Sequence, residues 1–431
     1  MAGRMTLGRK LLLIVVIGFL LREAGMFAFG TYKFRDFADR YDFGFETGAI
    51  ARSIALGHGF SSPFRAQTGP TAWIAPVYPY LVAGAFKVFG LYSDSSGIFL
   101  LSLNALASAL TVWPIFLIAR RLFTLRMALI SAWTWALAPP AMVWAISWIW
   151  DTAFSALLLT FLLFLSIKMA ERSSTRRWLL FGALWGLAAL MNPTLLSMLP
   201  FAGLYPLWTN RKRPRQPLFG AILAGIVFFA IISPWLVRNY RVFGRPVFIR
   251  SNFWAEMRYG NSPFAKGTWM GWTTPGVNPA EDRKYQQLGE MRYIELKKQE
   301  FLRFVHDYRE YFVELCARRV LFFWYGFSGW REDLWTSFKN LSALAFSVIA
   351  IIGAGLMVKR RVPGTFLLVM TMAFYPVPYY LTYAYARYKH PMEPVMLLCA
   401  VYCLAQVREL RFLAGAGDPA NNEALPATNE A

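Results

Sequence analysis

Two carboxylates, Asp42 and Glu46, stand four residues apart in the stretch "YDFGFETGAIARSIALGHGF", residues 41 to 60. On a helix over residues 42 to 56, Asp42, Glu46, Ala49 and Ser53 form one stripe beside an apolar stripe of Phe43, Thr47, Ile50 and Ile54. Carboxylates so placed can take a proton from a reacting group. Equally, Asp42 can cap the helix and Glu46 can complement its N-terminal dipole.

A further acid, Asp151, is isolated among aromatic and aliphatic residues in "AMVWAISWIWDTAFSALLLT". Trp144, Trp148 and Trp150 beside it fit an interfacial belt. A carboxylate between two apolar runs is costly unless it meets water, a partner or a ligand. Cations gather at two places: Arg238 and Arg241, with Asn239 between them, in "ISPWLVRNYRVFGRPVFI", and Arg387, Lys389 and His390, with Tyr388 among them, in "YAYARYKHPMEP". Such clusters hold anions, a lipid phosphate being the natural one, or they pair with phospholipid headgroups. A lone histidine such as His390 is more often a structural hydrogen-bonding residue than a ligand or base.

The elements that must position these groups are membrane spans. Of 431 residues, 57% are hydrophobic and 17% aromatic, more apolar side chain than a soluble fold of this size needs. The net charge of +21 comes in short basic clusters between apolar runs, as cytoplasmic loops do, and does not describe a nucleic-acid surface. Cys316, Cys399 and Cys403 form neither a disulfide framework nor a zinc pattern, and no cofactor fingerprint is present. With about 20 residues needed per helical crossing, spans are expected near 11–29, 97–119, 127–147, 152–170, 178–192, 194–209, 218–236, 339–357, 364–383 and 391–407.

Basic turns at Arg120/Arg121/Arg126, Arg172/Arg176/Arg177, Arg211/Lys212/Arg213/Arg215 and Lys359/Arg360/Arg361 point to the cytoplasm, which places both termini inside and the first span uncleaved. "APVYPYLVAGAFKVFG", residues 75 to 90, reads as a helix on the membrane surface, because a crossing there would invert every later basic loop. The chain then divides into a transmembrane core (1–236) whose first outer loop is 30–96, a partly helical outer region (237–338), C-terminal spans (339–410) and a disordered cytoplasmic tail (411–431). No internal repeat is visible, which disfavours a transporter or flippase of envelope lipids or glycans, the alternative for a chain of this composition.

The order of features, an acidic segment after the first span, "IARSIALGHGFSSP", "GPTAWIAPVYPYLVAGAFKVFG", "PWLVRNYRVFG" and "RYKHPMEP", resembles the polytopic glycosyltransferases that use polyprenyl-phosphate sugars. The related proteins are family-39-like enzymes, protein mannosyltransferases and lipid A aminoarabinose transferases. The resemblance implies an all-α polytopic GT-C fold of about ten transmembrane helices, with surface helices in the first outer loop and a catalytic cavity at the outer leaflet.

It implies that an acid of that loop is catalytic: Glu46 or Asp42, with Asp36 and Asp39 behind them, and Asp151 at the position of a second functional acid. Arg387 falls where a basic residue lies near the lipid phosphate, with Lys389, Arg238 and Arg241 as further cations. The implied reaction moves a sugar from a polyprenyl-phosphate donor to a hydroxyl of a lipid, glycan or protein on the non-cytoplasmic face of the plasma membrane. It would be an inverting single displacement with a carboxylate base. Metal dependence stays open: Asp42, Glu46, Asp151 and His390 could supply ligands, but no metal spacing is present.

Overall fold

The structure is a computed structural model, and it describes residues 6–33, 43–212, 214–326 and 334–407. Asp36, Asp39, Asp42 and the 411–431 tail lie outside the described residues.

In a bilayer every backbone polar group must be satisfied within the chain, which favours helices. Among the described residues the only ladder-type contacts are isolated bridges, Ser61 with Pro70 and Thr268 with Ala384. The first half of the chain forms α1 (Leu7–Phe29), α2 (Glu46–Ala55), α3 (Val77–Phe89), α4 (Asp94–Leu110), α5 (Val112–Leu122), α6 (Leu125–Leu137), α7 (Pro139–Ile146), α8 (Thr152–Glu171), α9 (Thr175–Met191), α10 (Leu199–Thr209) and α11 (Arg215–Phe243). The following region carries α12 (Phe253–Gly260), α13 (Pro279–Leu288), α14 (Glu290–Asp307) and α15 (Arg309–Tyr325). The last part carries α16 (Leu334–Lys359), α17 (Thr365–Phe374), α18 (Val377–Leu381), a 3₁₀ turn over Ala386–Met392 and α19 (Glu393–Leu404).

Among the described residues, five helical rods are long and apolar enough to cross a membrane: α1, the continuous Asp94–Leu122 rod of α4 and α5, α8, α11 and α16. A sixth arises if α6 and α7, bent by 44° where Pro139 opens α7, count as one span. The chain is a multi-pass membrane protein. The remaining apolar segments are shorter: α9 runs for 17 residues, and Pro193, Pro376 and Pro391 sit at or in the short turns that precede α10, open α18 and precede α19.

Helices approach closely where side chains are absent. A Cβ on Gly182 would strike the Ala224 carbonyl between α9 and α11, and one on Gly353 the Cys399 carbonyl between α16 and α19. Arg22, fully buried in α1, donates to the Ala136 carbonyl at 3.0 Å and to the Trp135 carbonyl at 3.4 Å, and to the Ser108 hydroxyl at 3.0 Å. Its charge thereby caps the end of α6, where carbonyls lack helical partners.

The expected helix over 42–56 begins only at Glu46. Gly44 is left-handed at φ 69° and Phe45, unusually for a residue with a Cβ, has φ 34°. The "FGF" stretch is therefore a turn. It buries Phe43 against Phe86 and Tyr92, and it brings Gly44 so close to Ile149 and Trp150 that a Cβ would meet the Ile149 carbonyl at 2.8 Å. Helix α2 packs on α3, whose Tyr78, Val82, Ala83 and Phe86 are buried while Tyr80 and Val88 are exposed.

Candidate active site

The turn before α2 and the loop before α8 bring Glu46 and Asp151 to one cavity of about 1180 Å³. Arg387 and Tyr388 of the 3₁₀ turn line it, as do Arg245, Arg250 and Glu256, which the sequence reading did not single out. Trp73, Tyr78, Trp148, Trp150, Trp254, Trp269 and Tyr383 add aromatic walls.

Glu46 occupies the first turn of α2, where an acid complements the helix N-terminus. Its carboxyl is enclosed by protein while opening to the cavity, and its pKa is pushed up to about 7. Desolvation is the main cause; the Glu256 charge adds to it, and a bond from its own backbone N–H and the Arg387 and Arg250 charges oppose it. Asp151 is likewise raised by burial, against the pull of Arg387 and Arg250. Its Oδ2 accepts from the Ser155 hydroxyl at 3.3 Å, which in turn accepts from the Asn192 amide at 3.2 Å. Both acids thus feel the same two arginines.

Those arginines are held by different devices. The Arg387 guanidinium lies 3.7 Å from the centre of the Trp150 ring. Arg250 donates to Asn252 Oδ1 at 3.1 Å and stands 3.9 Å from Glu256 Oε1. The arrangement can hold an anion beside two cations and accept a proton at Glu46 within a space partly shut off from water.

The remaining sequence candidates lie elsewhere. Arg238 donates to the carbonyls of Thr71 at 2.6 Å and Phe60 at 2.8 Å, tying the end of α11 to the segment between α2 and α3. Asn239 is buried and donates to the Val247 carbonyl at 3.2 Å, and Arg241 is exposed. Lys389 donates to Ser347 on α16 at 3.3 Å. His390 stacks on Trp135 and its Nδ1 lies 2.6 Å from Glu393. None of these lines the cavity.

Arg245 and Arg250 continue the basic run of Arg238 and Arg241, which was the available sign of them. Glu256, a single acid in "FWAEMRYG", gave none. Among the described residues no group of three or more His, Cys, Asp or Glu is gathered as a metal site would need. Glu256 and Asp151 already accept from Asn252, Tyr383 and Ser155.

Residues 73–237 match the family model of dolichyl-phosphate-mannose-protein mannosyltransferase. No curated protein matches the chain. Among solved structures, the apo oligosaccharyltransferase of Archaeoglobus fulgidus is similar with a TM-score of 0.56 at 15% identity, over 92% of this chain and 50% of that one. AglB from the same organism, in complex with an inhibitory peptide and a dolichol-phosphate, gives 0.54 at 14% identity, over 97% and 52%. ArnT from Cupriavidus metallidurans, bound to undecaprenyl phosphate, gives 0.44 at 13% identity, over 90% and 78%. The chain spans about half the length of the archaeal protein. Its fold is the GT-C fold of polytopic glycosyltransferases, as the order of its motifs led one to expect.

Proposed function

We propose that the protein is a membrane glycosyltransferase that moves a sugar from a polyprenyl-phosphate donor to a hydroxyl of a lipid, glycan or protein, with Glu46 as general base. The observation that carries this reading is a carboxyl, pushed up to about 7 by desolvation, in a cavity it shares with Arg245, Arg250 and Arg387. A base titrating near the working pH combines a useful fraction of carboxylate with real proton affinity. A hydroxyl is a poor nucleophile until its proton has somewhere to go, and Glu46 supplies that acceptor.

The acceptor oxygen attacks the anomeric carbon while the bond to the phosphate oxygen breaks, so one displacement inverts the centre through an oxocarbenium-like state. The hydroxyl proton passes to a Glu46 oxygen. The departing polyprenyl phosphate gains negative charge, which Arg387 and Arg250 stabilise in a site with little water. Asp151, near the same cations, would balance their charge when no phosphate is present. The aromatic walls suit a sugar face. The basic turns favour cytoplasmic termini in a plasma membrane and a site on the opposite face.

The test is transfer from a panel of radiolabelled polyprenyl-phosphate sugars in membranes containing wild type or Glu46→Gln. Label should move only with wild type. Equal transfer by a folded Glu46→Gln variant would remove Glu46 as the base, and no transfer from any donor into a broad acceptor pool would remove the reaction itself.

A further inference from the structure

Glu256 enters the cavity from α12, yet the transfer reaction as described makes no use of it. Both of its oxygens are engaged. Oε1 accepts from the Asn252 amide at 2.8 Å, and Oε2 accepts from the Tyr383 hydroxyl at 2.7 Å. The Tyr383 oxygen accepts from the Tyr388 hydroxyl at 3.1 Å, and the Arg387 guanidinium lies 5.2 Å from the centre of the Tyr388 ring. Both hydroxyls donate toward the carboxylate, and the guanidinium lies against the ring at the far end of the chain.

Such an arrangement polarises each link in the sense that strengthens the next. Its members are also mechanically fixed. Tyr383 is buried, and the Tyr388 ring is stacked on Tyr379 with centroids 4.3 Å apart. A carboxylate in direct contact with Arg387 would orient it but also neutralise it and compete with an incoming anion. Two tyrosines between them keep the orientation and leave the charge available. We propose that Glu256, acting through Tyr383 and Tyr388, is a positioning residue that holds the Arg387 guanidinium ready for the phosphate of the lipid donor. This rests on the reading of Arg387 as a phosphate-binding group.

Tyr383→Phe is the decisive variant, because it keeps the ring and every charge while removing both links. Undecaprenyl phosphate is titrated into the full-length protein in lipid nanodiscs, for wild type, Tyr383→Phe, Glu256→Gln, Arg387→Ala and the Tyr383→Phe/Arg387→Ala pair, with thermal unfolding of each as the control for folding. Tyr383→Phe should bind about five- to tenfold more weakly, the range for losing the net worth of about one ordinary hydrogen bond. The pair should bind no more weakly than Arg387→Ala alone, since the chain acts only through that residue.

Glu256→Gln should also weaken binding, although it removes a negative charge from an anion-binding cavity; tighter binding would mean that Glu256 acts by its charge alone and would overturn the proposal. Wild-type affinity in Tyr383→Phe, or a loss that adds to that of Arg387→Ala, would overturn it while leaving the transfer reading intact. Wild-type affinity in Arg387→Ala would overturn the phosphate role of Arg387 and the proposal with it. Should Tyr383→Phe not fold, Tyr388→Phe cuts the same chain one link nearer the cation and decides by the same criteria.

Discussion

The Arg387 guanidinium stacks on Trp150, the residue immediately before Asp151, at 3.7 Å from the ring centre. One contact therefore joins the loop that opens α8 to the 3₁₀ turn that precedes α19, and it sets a cation beside the acid most isolated in the sequence. Gly44 completes the junction, because without a side chain it lies close against Ile149 and Trp150 and so brings Glu46 to the same place.

Replacing Trp150 by Leu should leave Arg387 in the cavity but without its platform. A cation held over an indole is worth about 1 kcal/mol where it is partly desolvated. The expected result is a rise of about fivefold in the donor KM with a smaller change in kcat. Steady-state transfer with the donor as varied substrate measures it.

The raised pKa of Glu46 makes a statement about pH. A base must be deprotonated to act, so the transfer rate should climb as pH rises through about 7 and level off above it. The stability contribution runs the other way. A carboxyl whose folded pKa lies above its ordinary 4.5 favours the fold fully below about 4.5 and loses that contribution as pH rises toward about 7. Glu46→Gln should abolish transfer and flatten this part of the stability profile; unfolding midpoints across pH 4 to 8, run beside the rate profile, check both.

Asp151 and Arg387 were legible because charge is conspicuous in an apolar neighbourhood, and the cost of burying it forces a reason. Arg250 and Glu256 were not, since charged residues in a polar connecting region are unremarkable until the fold turns them inward. Lys389 and His390 adjoin Arg387 in sequence, but along a tight 3₁₀ turn successive side chains diverge, and these two face α16 and Trp135. Helix α2 starts later than the stripe of Phe43, Thr47, Ile50 and Ile54 implies, because Gly44 at φ 69° and Phe45 at φ 34° break the helix after Phe43. The long spans were plain from length and hydropathy. The segments broken near Pro193, Pro376 and Pro391 were less so, because an apolar run does not reveal where proline interrupts its hydrogen bonding.

Arg238 gives a contrast to Arg387. Its hydrogen bonds go to the Thr71 and Phe60 carbonyls, and its guanidinium lies 4.8 Å from the Trp235 ring centre. Arg238→Ala should leave those carbonyls without their charged donor and destabilise the protein by about 2 kcal/mol, while the donor KM of the folded fraction stays within about twofold of wild type. Thermal unfolding and donor titration separate the effects; a large KM change at unchanged stability would place Arg238 in substrate binding instead.

Gly260, the last residue of α12, tests whether the backbone behind the site is as tightly fitted as the side chains in front of it. A Cβ there would collide with the Thr382 carbonyl, next to Tyr383, which donates to Glu256 on the same helix. Buried Arg319 binds both sides of this contact, donating to the Gly260 carbonyl at 2.5 Å and the Leu381 carbonyl at 3.0 Å. With a carbonyl as the obstacle and Arg319 holding both strands of chain, little can move aside, so Gly260→Ala should cost about 1–3 kcal/mol as overpacked sites do. The same shift moves Tyr383 relative to Glu256, and the donor KM should rise together with the loss of stability. A Gly260→Ala protein that unfolds at the wild-type temperature and binds donor normally would show that α12 and the segment around Thr382 can separate without disturbing the cavity.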